Sequence, residues 1–440
     1  MVMKAVDLER VMSARNLVEL VLLKGENPGA VGAKHKINGQ WRDVTWGEIL
    51  LRVRRISESL AQLGIGSGDR VAIFAPTRLD WCISHFAIMG VGAVAVPIYA
   101  SNTPAEAEFV INNSGARAVF FDGDAPDGKQ AGRWSRLKEV RARLTTVEHY
   151  VAFDLPSKPE EGLTGLADLE KQGAEVLAQH PRGLEERAAT MGIDDLSVII
   201  YTSGTTGNPK GVMLTHGNWV YQARMVATLN LMTGSDVVLL FLPLAHSFAM
   251  VVQFAWLAQP FQMAFAESIE RLVDNAAEVG ATVLPAVPRI FEKAYAKVVA
   301  DGSSAPGVKG RLFRWAMGEF EEYVAARNAG REYHSLQWSL AKRLVFSKVQ
   351  ERLNARFGGR MRLFISGSAP LSRKIHYFFD LCGLTILEGY GLTETAAPTH
   401  VNRPGAMRIG TVGPALPETE VRLAPEDKEI LVRGPQVMKG

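Results

Sequence analysis

Apolar strands and amphipathic helices alternate along much of this chain, and that alternation limits the folds it can adopt. Between residues 46 and 121 the pattern predicts helices at Trp46–Leu63, Leu79–Met89 and Pro104–Asn113. It predicts short apolar strands at Arg70–Phe74, Ala93–Tyr99 and Ala118–Phe121. Strands joined through helices return by right-handed crossovers and form a mostly parallel sheet. We therefore expect an α/β fold.

The remaining segments divide the 440 residues into units. A second alternating block starts at Leu196, and after Val401 the chain changes to short strands with Gly and Pro turns, which is typical of a small β unit. Residues 122–190 are polar and predict a peripheral segment. Because the chain is too long for one ordinary core, we expect two lobes and a β unit, over residues 1–195, 196–400 and 401–440.

Composition excludes several classes of protein. The chain is 47% hydrophobic and 22% charged, as in soluble globular proteins, and its net charge of +3 gives no reason to expect nucleic acid as a partner. The two cysteines, Cys82 and Cys382, are too few for a disulfide framework. The N-terminus shows no basic-then-apolar signal pattern. We therefore expect a cytoplasmic protein.

One uncharged stretch, residues 237–266, is long enough to span a bilayer. Pro243 and Pro260 interrupt it, and polar side chains such as His246 and Gln253 are scattered through it. A membrane-spanning helix has no place for such breaks on its lipid face. We predict a buried strand, a loop at 243–247 and a buried helix.

The strongest chemical signal is the loop from Thr202 to Lys210, which follows an apolar strand and precedes another. Its glycines let backbone N–H groups approach an anion, its hydroxyls add donors, and Lys210 adds positive charge. It is not a Walker loop, because no Gly-Lys-Ser/Thr ends it and a strand follows rather than a helix. The alternative is a polar hairpin turn, but hairpin turns are commonly two residues long. The loop predicts a phosphate site.

Two further strand ends carry small and polar residues. One apolar strand leads to Glu388-Gly389-Tyr390-Gly391-Leu392-Thr393-Glu394, in which Tyr390 can stack on a base and Glu394 can bind Mg²⁺. Another leads to Ser366-Gly367-Ser368-Ala369-Pro370, whose small side chains let a flat ring approach the backbone. Open α/β sheets bind ligands at the carboxyl ends of their strands. The three loops therefore predict a single crevice.

Together these motifs resemble the adenylate-forming superfamily. The residues that carry this resemblance lie at 202–211, 366–372, 388–394 and 428–440, and the likeness covers nearly the whole chain. The segments Pro243–Phe248 and Val287–Lys293, and the insert that ends at Leu344–Val349, are similar to the long-chain fatty-acyl-CoA synthetases. Lys428 departs slightly from the pattern, because many members carry glycine there.

The resemblance implies two packed α/β lobes, followed by the start of a small β-barrel unit. It implies that ATP activates a long-chain fatty acid to an acyl adenylate, which coenzyme A then accepts, with Mg²⁺ as the metal. By the same resemblance the catalytic residues are Thr205, Lys210, His246, Thr393 and Glu394, with Glu394 as the metal ligand. The nucleotide-binding residues are Thr202, Ser203, Gly204, Thr206, Gly207, Gly367, Ser368, Ala369, Glu388, Gly389, Tyr390 and Gly391.

The family's ribose-binding aspartate, hinge and C-terminal lid with its catalytic lysine are expected beyond Gly440. Two alternatives remain open at this point. One is a fatty-acyl-AMP ligase or an adenylation domain that loads a carrier protein. The other, from a different class, is a nucleotide-binding module without catalysis.

A basic insert between Lys309 and Arg362 has a net charge of +7. Helical spacing places Leu312, Ala316, Phe320 and Val324 on one face, and Val345, Val349 and Leu353 on another. Such a segment suits peripheral contact with an anionic membrane or with the phosphates of coenzyme A. The alternative is a solvated face packed on the second lobe.

Overall fold

The computed structural model describes residues 8–123, 132–155, 160–202 and 207–440. Its strands are β1 Val31–Ile37, β2 Gln40–Thr45, β3 Arg70–Phe74, β4 Val94–Ile98, β5 Ala118–Phe121, β6 His149–Ala152, β7 Leu163–Gly165, β8 Leu196–Thr202, β9 Lys210–Thr215, β10 Val237–Leu240, β11 Gln262–Phe265, β12 Val283–Ala286, β13 Leu363–Ser366, β14 Thr385–Leu392, β15 Ala397–Val401, β16 Glu420–Leu423 and β17 Ile430–Arg433.

Helices connect most of these strands. They are α1 Leu8–Ser13, α2 Leu17–Gly25, α3 Trp46–Gln62, α4 Leu79–Gly90, α5 Pro104–Ser114, α6 Arg133–Val140, α7 Leu166–Gln179, α8 Gly183–Thr190, α9 His216–Thr228, α10 Ser247–Ala258, α11 Leu272–Val279, α12 Pro288–Ser303, α13 Gly307–Asn328, α14 Leu336–Ala341, α15 Ser347–Arg356 and α16 Arg373–Leu381. A π-helical segment, Lys342–Phe346, joins α14 to α15.

The first sheet has seven strands in the order β7-β6-β5-β3-β4-β8-β9, and all neighbours are parallel except β8 and β9. The helices α3 and α5, which accompany this sheet, begin at the residues that the sequence predicts. Thr45 and Glu48 form a capping box before α3, and Thr103 and Glu106 form one before α5, with Pro104 in the first turn. Each box satisfies backbone N–H groups that the helix itself leaves unpaired. The predicted α/β fold is confirmed.

The second sheet has eight strands in the order β15-β14-β13-β12-β10-β11-β1-β2. Two strands from the N-terminal region, β1 and β2, lie at its edge, with β1 parallel to β11. Conversely, β8 and β9 belong to the first sheet. The expected boundary at residues 195 and 196 therefore does not separate the two sheets. Long-range pairing of this kind leaves no local mark on the sequence.

The segment 122–190 is not peripheral as predicted. Its strands β6 and β7 extend the first sheet beyond β5, and α7 packs on α3. Tyr150 and Val151 in β6 are buried. The polar flanks of these short strands concealed them, because two or three apolar residues in a polar context give little periodicity.

The main core lies between the two sheets, where α4, α9 and α10 pack together with α2 and α3. The uncharged stretch forms β10, a loop, the buried helix α10 and then β11, so the prediction of a strand, a loop and a helix is confirmed. Within the described residues, the helices are all too short or too polar to cross a membrane. After β15 the chain forms the antiparallel hairpin β16–β17, whose residues are largely exposed.

Candidate active site

A cavity of about 440 Å³ opens where strands from both sheets end. The first sheet contributes Thr202 at the end of β8, and the second contributes the segments that follow β10, β13 and β14. The predicted crevice thus forms between the sheets. The predicted site residues on its wall are Thr202, His246, Gly367, Ser368, Gly389, Tyr390, Gly391, Thr393 and Glu394.

Other predicted site residues lie elsewhere. Gly207, Lys210 and Ala369 are exposed and do not line this cavity. Glu388 is buried behind the wall. The rest of the phosphate loop lies outside the described residues, namely Ser203, Gly204, Thr205 and Thr206.

The strands on either side of the phosphate loop pair as an antiparallel hairpin, with Thr202 opposite Lys210. The length of the connection predicts that these strands do not form a hairpin. That prediction is wrong in topology, because β8 and β9 are consecutive antiparallel strands. This arrangement brings the two ends of the loop together beside the cavity, since Thr202 lines the cavity and Lys210 lies across the strand pair from it.

The end of β14 and the 3₁₀ turn after it carry the second motif. A side chain at Gly391 would place its Cβ 1.8 Å from the carbonyl oxygen of Ala397, so only glycine fits there. Glu394 follows in a 3₁₀ turn, and its carbonyl accepts a hydrogen bond from the N–H of Met438 at 2.8 Å. Among the described residues no cation pairs with the Glu394 carboxylate. A carboxylate on the cavity wall without a cationic partner fits a Mg²⁺ ion, which takes few protein carboxylates and several phosphate oxygens.

His246 lies immediately before α10, at the boundary between polar and apolar wall. Its Nδ1 accepts a hydrogen bond from the N–H of Phe248 at 3.1 Å. An accepting Nδ1 carries no proton, so the neutral ring bears its proton on Nε2. Burial lowers the pKa of His246 below its ordinary value of 6.5, which favours this neutral form. The ring therefore keeps an Nε2–H donor that no acceptor takes up among the described residues.

The other end of the cavity is apolar. Its wall comes from α9 and the segment after it, and from one face of α10. These residues are Val226, Leu229, Leu231, Met232, Phe248, Val251, Val252 and Ala255. None of them is among the predicted site residues, although the members on α10 recur at helical spacing. A stripe of this kind indicates a buried face equally well, so only the fold shows that it meets a cavity.

Comparison with known proteins now identifies the family. The family described as AMP-binding enzyme matches residues 26–440. The chain belongs to the AMP-binding enzyme family. The predicted resemblance to adenylate-forming enzymes is thereby confirmed.

Relatives within this family carry names of one kind. The chain is 34% identical over 418 residues to the long-chain-fatty-acid–CoA ligase FadD15 of Mycobacterium bovis. The matched region covers 94% of this chain and 66% of that protein. It is 31% identical to the peroxisomal long chain acyl-CoA synthetase 6 of Arabidopsis thaliana, with 91% of this chain and 57% of that protein covered. The chain thus spans just under two thirds, or less, of the length of these relatives.

Solved structures of other proteins share the fold. The N-terminal domain of FACL13 from Mycobacterium tuberculosis superposes with a TM-score of 0.70 at 21% identity, over 97% of this chain and 90% of that one. The anthranilate CoA ligase AuaEII, in complex with anthranoyl-AMP, gives a TM-score of 0.70 at 18% identity, over 97% and 70% of the two chains. At these identities the likeness establishes the fold alone.

Proposed function

We propose that this AMP-binding enzyme activates a long-chain fatty acid with ATP and passes the acyl group to coenzyme A. The observation that carries the proposal is one continuous cavity with two chemically different ends. The end at the strand termini offers glycines, hydroxyls, a tyrosine ring and a carboxylate, which suit a nucleotide and its metal. The end between α9 and α10 is lined by aliphatic side chains, which suit an acyl chain. The relatives' names point to the same substrates.

The chemistry requires positioning more than proton transfer. A fatty acid is already ionised at neutral pH, so its carboxylate needs no strong base in order to attack the α-phosphorus of ATP and expel pyrophosphate. The obstacle is that two anions must meet, and preorganised donors lower that barrier. Glu394 would hold Mg²⁺, and the bound metal would neutralise phosphate charge.

His246 and α10 are placed to receive the fatty-acid carboxylate. The Nε2–H of His246 has no acceptor among the described residues, and it lies where the polar wall meets the apolar wall. The N-terminus of α10 begins at the next residue, and its positive end favours an anion. Tyr390 and Thr393 lie on the polar wall, where the base and the α-phosphate would bind. We assign acid recognition to His246 and nucleotide recognition to Tyr390 and Thr393.

Exchange of labelled pyrophosphate into ATP tests this proposal directly. We expect exchange that depends on Mg²⁺ and on a fatty acid, and that rises from hexanoate to palmitate as more of the apolar wall is covered. Release of acyl-CoA, measured against the loading of a carrier protein, separates a coenzyme A ligase from an acyl-AMP ligase. ATP binding without exchange for any acid, in an enzyme that also carries the expected C-terminal lid, would leave only the non-catalytic module.

We further propose that the enzyme makes peripheral contact with anionic membranes through α14 and the π-helical segment. Leu336, Leu340 and Leu344 recur at four-residue intervals and are 91%, 49% and 36% exposed. Lys342 and Arg343 are exposed beside them. An exposed leucine row next to basic side chains suits an anionic lipid surface. This contact surface contains fewer residues than the sequence predicts, because the two predicted apolar faces of the insert are not exposed. Their residues pack in the second-lobe core, namely Leu312, Ala316, Phe320, Val324, Val345, Val349 and Leu353.

Sedimentation with vesicles tests the membrane contact. We expect the protein to bind phosphatidylserine vesicles at low salt and to lose binding as salt is added. Reversing Lys342 and Arg343 to Glu should weaken binding, while exchange with hexanoate stays normal. Reversing two exposed basic residues of the first lobe, Lys171 and Arg182, serves as the matched control. Equal binding by both double variants, or none by the unaltered protein, would remove the membrane role.

A further inference from the structure

A buried carboxylate lies directly behind the nucleotide wall. Glu388 stands in β14 just before Gly389 and Tyr390, which face the cavity, but its own side chain turns away from it. The Oε1 atom lies 3.1 Å from Nδ1 of His376 in α16, and Oε2 accepts a hydrogen bond from the N–H of Leu371 at 3.2 Å. The His376 side chain is fully buried and that of Glu388 is 8% exposed.

The bond to Leu371 closes a segment that forms part of the cavity wall. Gly367 and Ser368 line the cavity, and Leu371 follows them after a short exposed stretch. Ser368 adopts a φ of 69°, a conformation that costs a residue with a side chain about 1 kcal/mol or more. Such strain persists only where the surroundings hold it. The backbone bond from Leu371 to Glu388 is one such restraint, three residues from Ser368.

Glu388 also contacts the part of the cavity wall near β15. The carbonyl of Glu388 accepts a hydrogen bond from the N–H of Asn402 at 2.9 Å, next to β15. Glu388 therefore joins β14 to the segment after β13 and to the chain after β15. His376 orients its carboxylate: Nδ1–H donates to Glu388, while Nε2 is buried without a partner among the described residues.

We propose that Glu388, oriented by His376, is a positioning residue that holds the Gly367–Leu371 segment in shape for the nucleotide, and that it does not itself contact the nucleotide. This inference rests on the proposed function. It differs from the role that the motif alone implied for Glu388, which was membership of the adenine slot. A residue that acts through Leu371 should affect nucleotide affinity and leave the apolar end of the cavity unchanged.

The test measures ATP and palmitate affinity in three variants of the whole chain. Glu388→Ala removes the restraint, Glu388→Gln keeps an acceptor for Leu371, and His376→Phe removes the orienting donor while filling its space. We expect Glu388→Ala to weaken ATP binding about tenfold, since a hydrogen bond to a charged group contributes on that scale. Glu388→Gln should stay within about threefold of the unaltered chain. Palmitate affinity should not change.

His376→Phe distinguishes positioning from direct contact. Under the proposal His376→Phe weakens ATP binding by a factor similar to that of Glu388→Ala. The double variant, with both substitutions, should bind ATP no more weakly than either single variant, because both residues act through one restraint. Normal ATP affinity in His376→Phe together with loss in both Glu388 variants would show direct contact instead, and would overturn the proposal.

A matched control addresses stability. Asp236 is also a buried carboxylate of the second sheet, bonded to Arg362 and Thr282, but it precedes β10 at the opposite end of the strands. Asp236→Ala should lower the melting temperature without changing ATP affinity. If Glu388→Ala behaves in the same way, its role is structural and the inference fails. If the unaltered chain does not bind ATP, the proposed function fails first.

Discussion

The two ends of the cavity are built by different means. The nucleotide end depends on backbone geometry, which places its polar side chains: strand termini, a position near the end of β14 where only glycine fits (Gly391), and Ser368 in a left-handed conformation. The acyl end is made of side chains from α9, the segment after it and α10, and apolar residues of similar size could replace one another there. A ligand with fixed charges needs donors at fixed positions, whereas a hydrocarbon chain needs only volume and exclusion of water. We expect changes at the first end to affect chemistry and changes at the second to affect substrate choice.

The largest expected effect is at the nucleotide end. Replacing Glu394 by Ala removes the only carboxylate among the described residues on the cavity wall. Exchange of pyrophosphate into ATP should fall about 100-fold or more, the scale on which preorganised electrostatic groups act. Palmitate affinity, measured without ATP, should remain unchanged. Loss of palmitate binding in this variant would show that the two ends are not independent.

Glu429→Ala is the matched control for that experiment. Glu429 is an exposed glutamate just before β17 and does not line the cavity. Its removal should leave exchange at the unaltered rate. Exchange in Glu394→Ala equal to that of Glu429→Ala would remove Glu394 from the proposed metal site.

An intermediate effect is expected at the acyl end. Ala255 lies in α10 seven residues after Phe248, about 10 Å along the helix at its usual rise. Ala255→Phe should fill the far end and reduce exchange with palmitate about tenfold, as overpacking a formed site costs on the order of 1–3 kcal/mol. Hexanoate is too short to reach that position, so its exchange should be unchanged. Equal loss for both acids would place the acyl chain elsewhere.

The same contrast explains what the sequence could predict. Helix α3 was expected at Trp46–Leu63 and forms at Trp46–Gln62, because periodicity and a capping box are local signals. The strand-end motifs were recognised because backbone geometry demands particular residue types, such as Gly391. The pairing of β1 with β11 was missed, since nothing near either strand specifies a partner more than 200 residues away. The acyl wall was missed because a helix face that lines a cavity has the composition of one that fills a core.

The smallest effect concerns the boundary between the two ends, at His246. Burial holds the pKa of His246 below its ordinary value of 6.5, so the neutral ring is the main form in the free enzyme at pH 6.5 and above. As pH falls below that value, protonation of Nδ1 would break the bond from the N–H of Phe248 at the start of α10. The rate constant kcat/KM for the acid reports groups of the free enzyme. The value of kcat/KM should therefore change little near pH 8 and decline mainly below pH 6.5.

A second histidine near the wall makes this test specific. His400 faces Tyr390, with ring centroids 6.0 Å apart, and burial also lowers its pKa. If protonation of His246 causes the decline of kcat/KM at low pH (the acid limb), His246→Gln should abolish that decline, because glutamine does not titrate. His400→Gln should retain it. The loss of rate in His246→Gln at pH 7.5 should be modest, about threefold to tenfold, the scale of one hydrogen bond. An acid limb that persists in His246→Gln and disappears in His400→Gln would move the titrating group to the nucleotide end, and His246 would then have no part in binding the carboxylate.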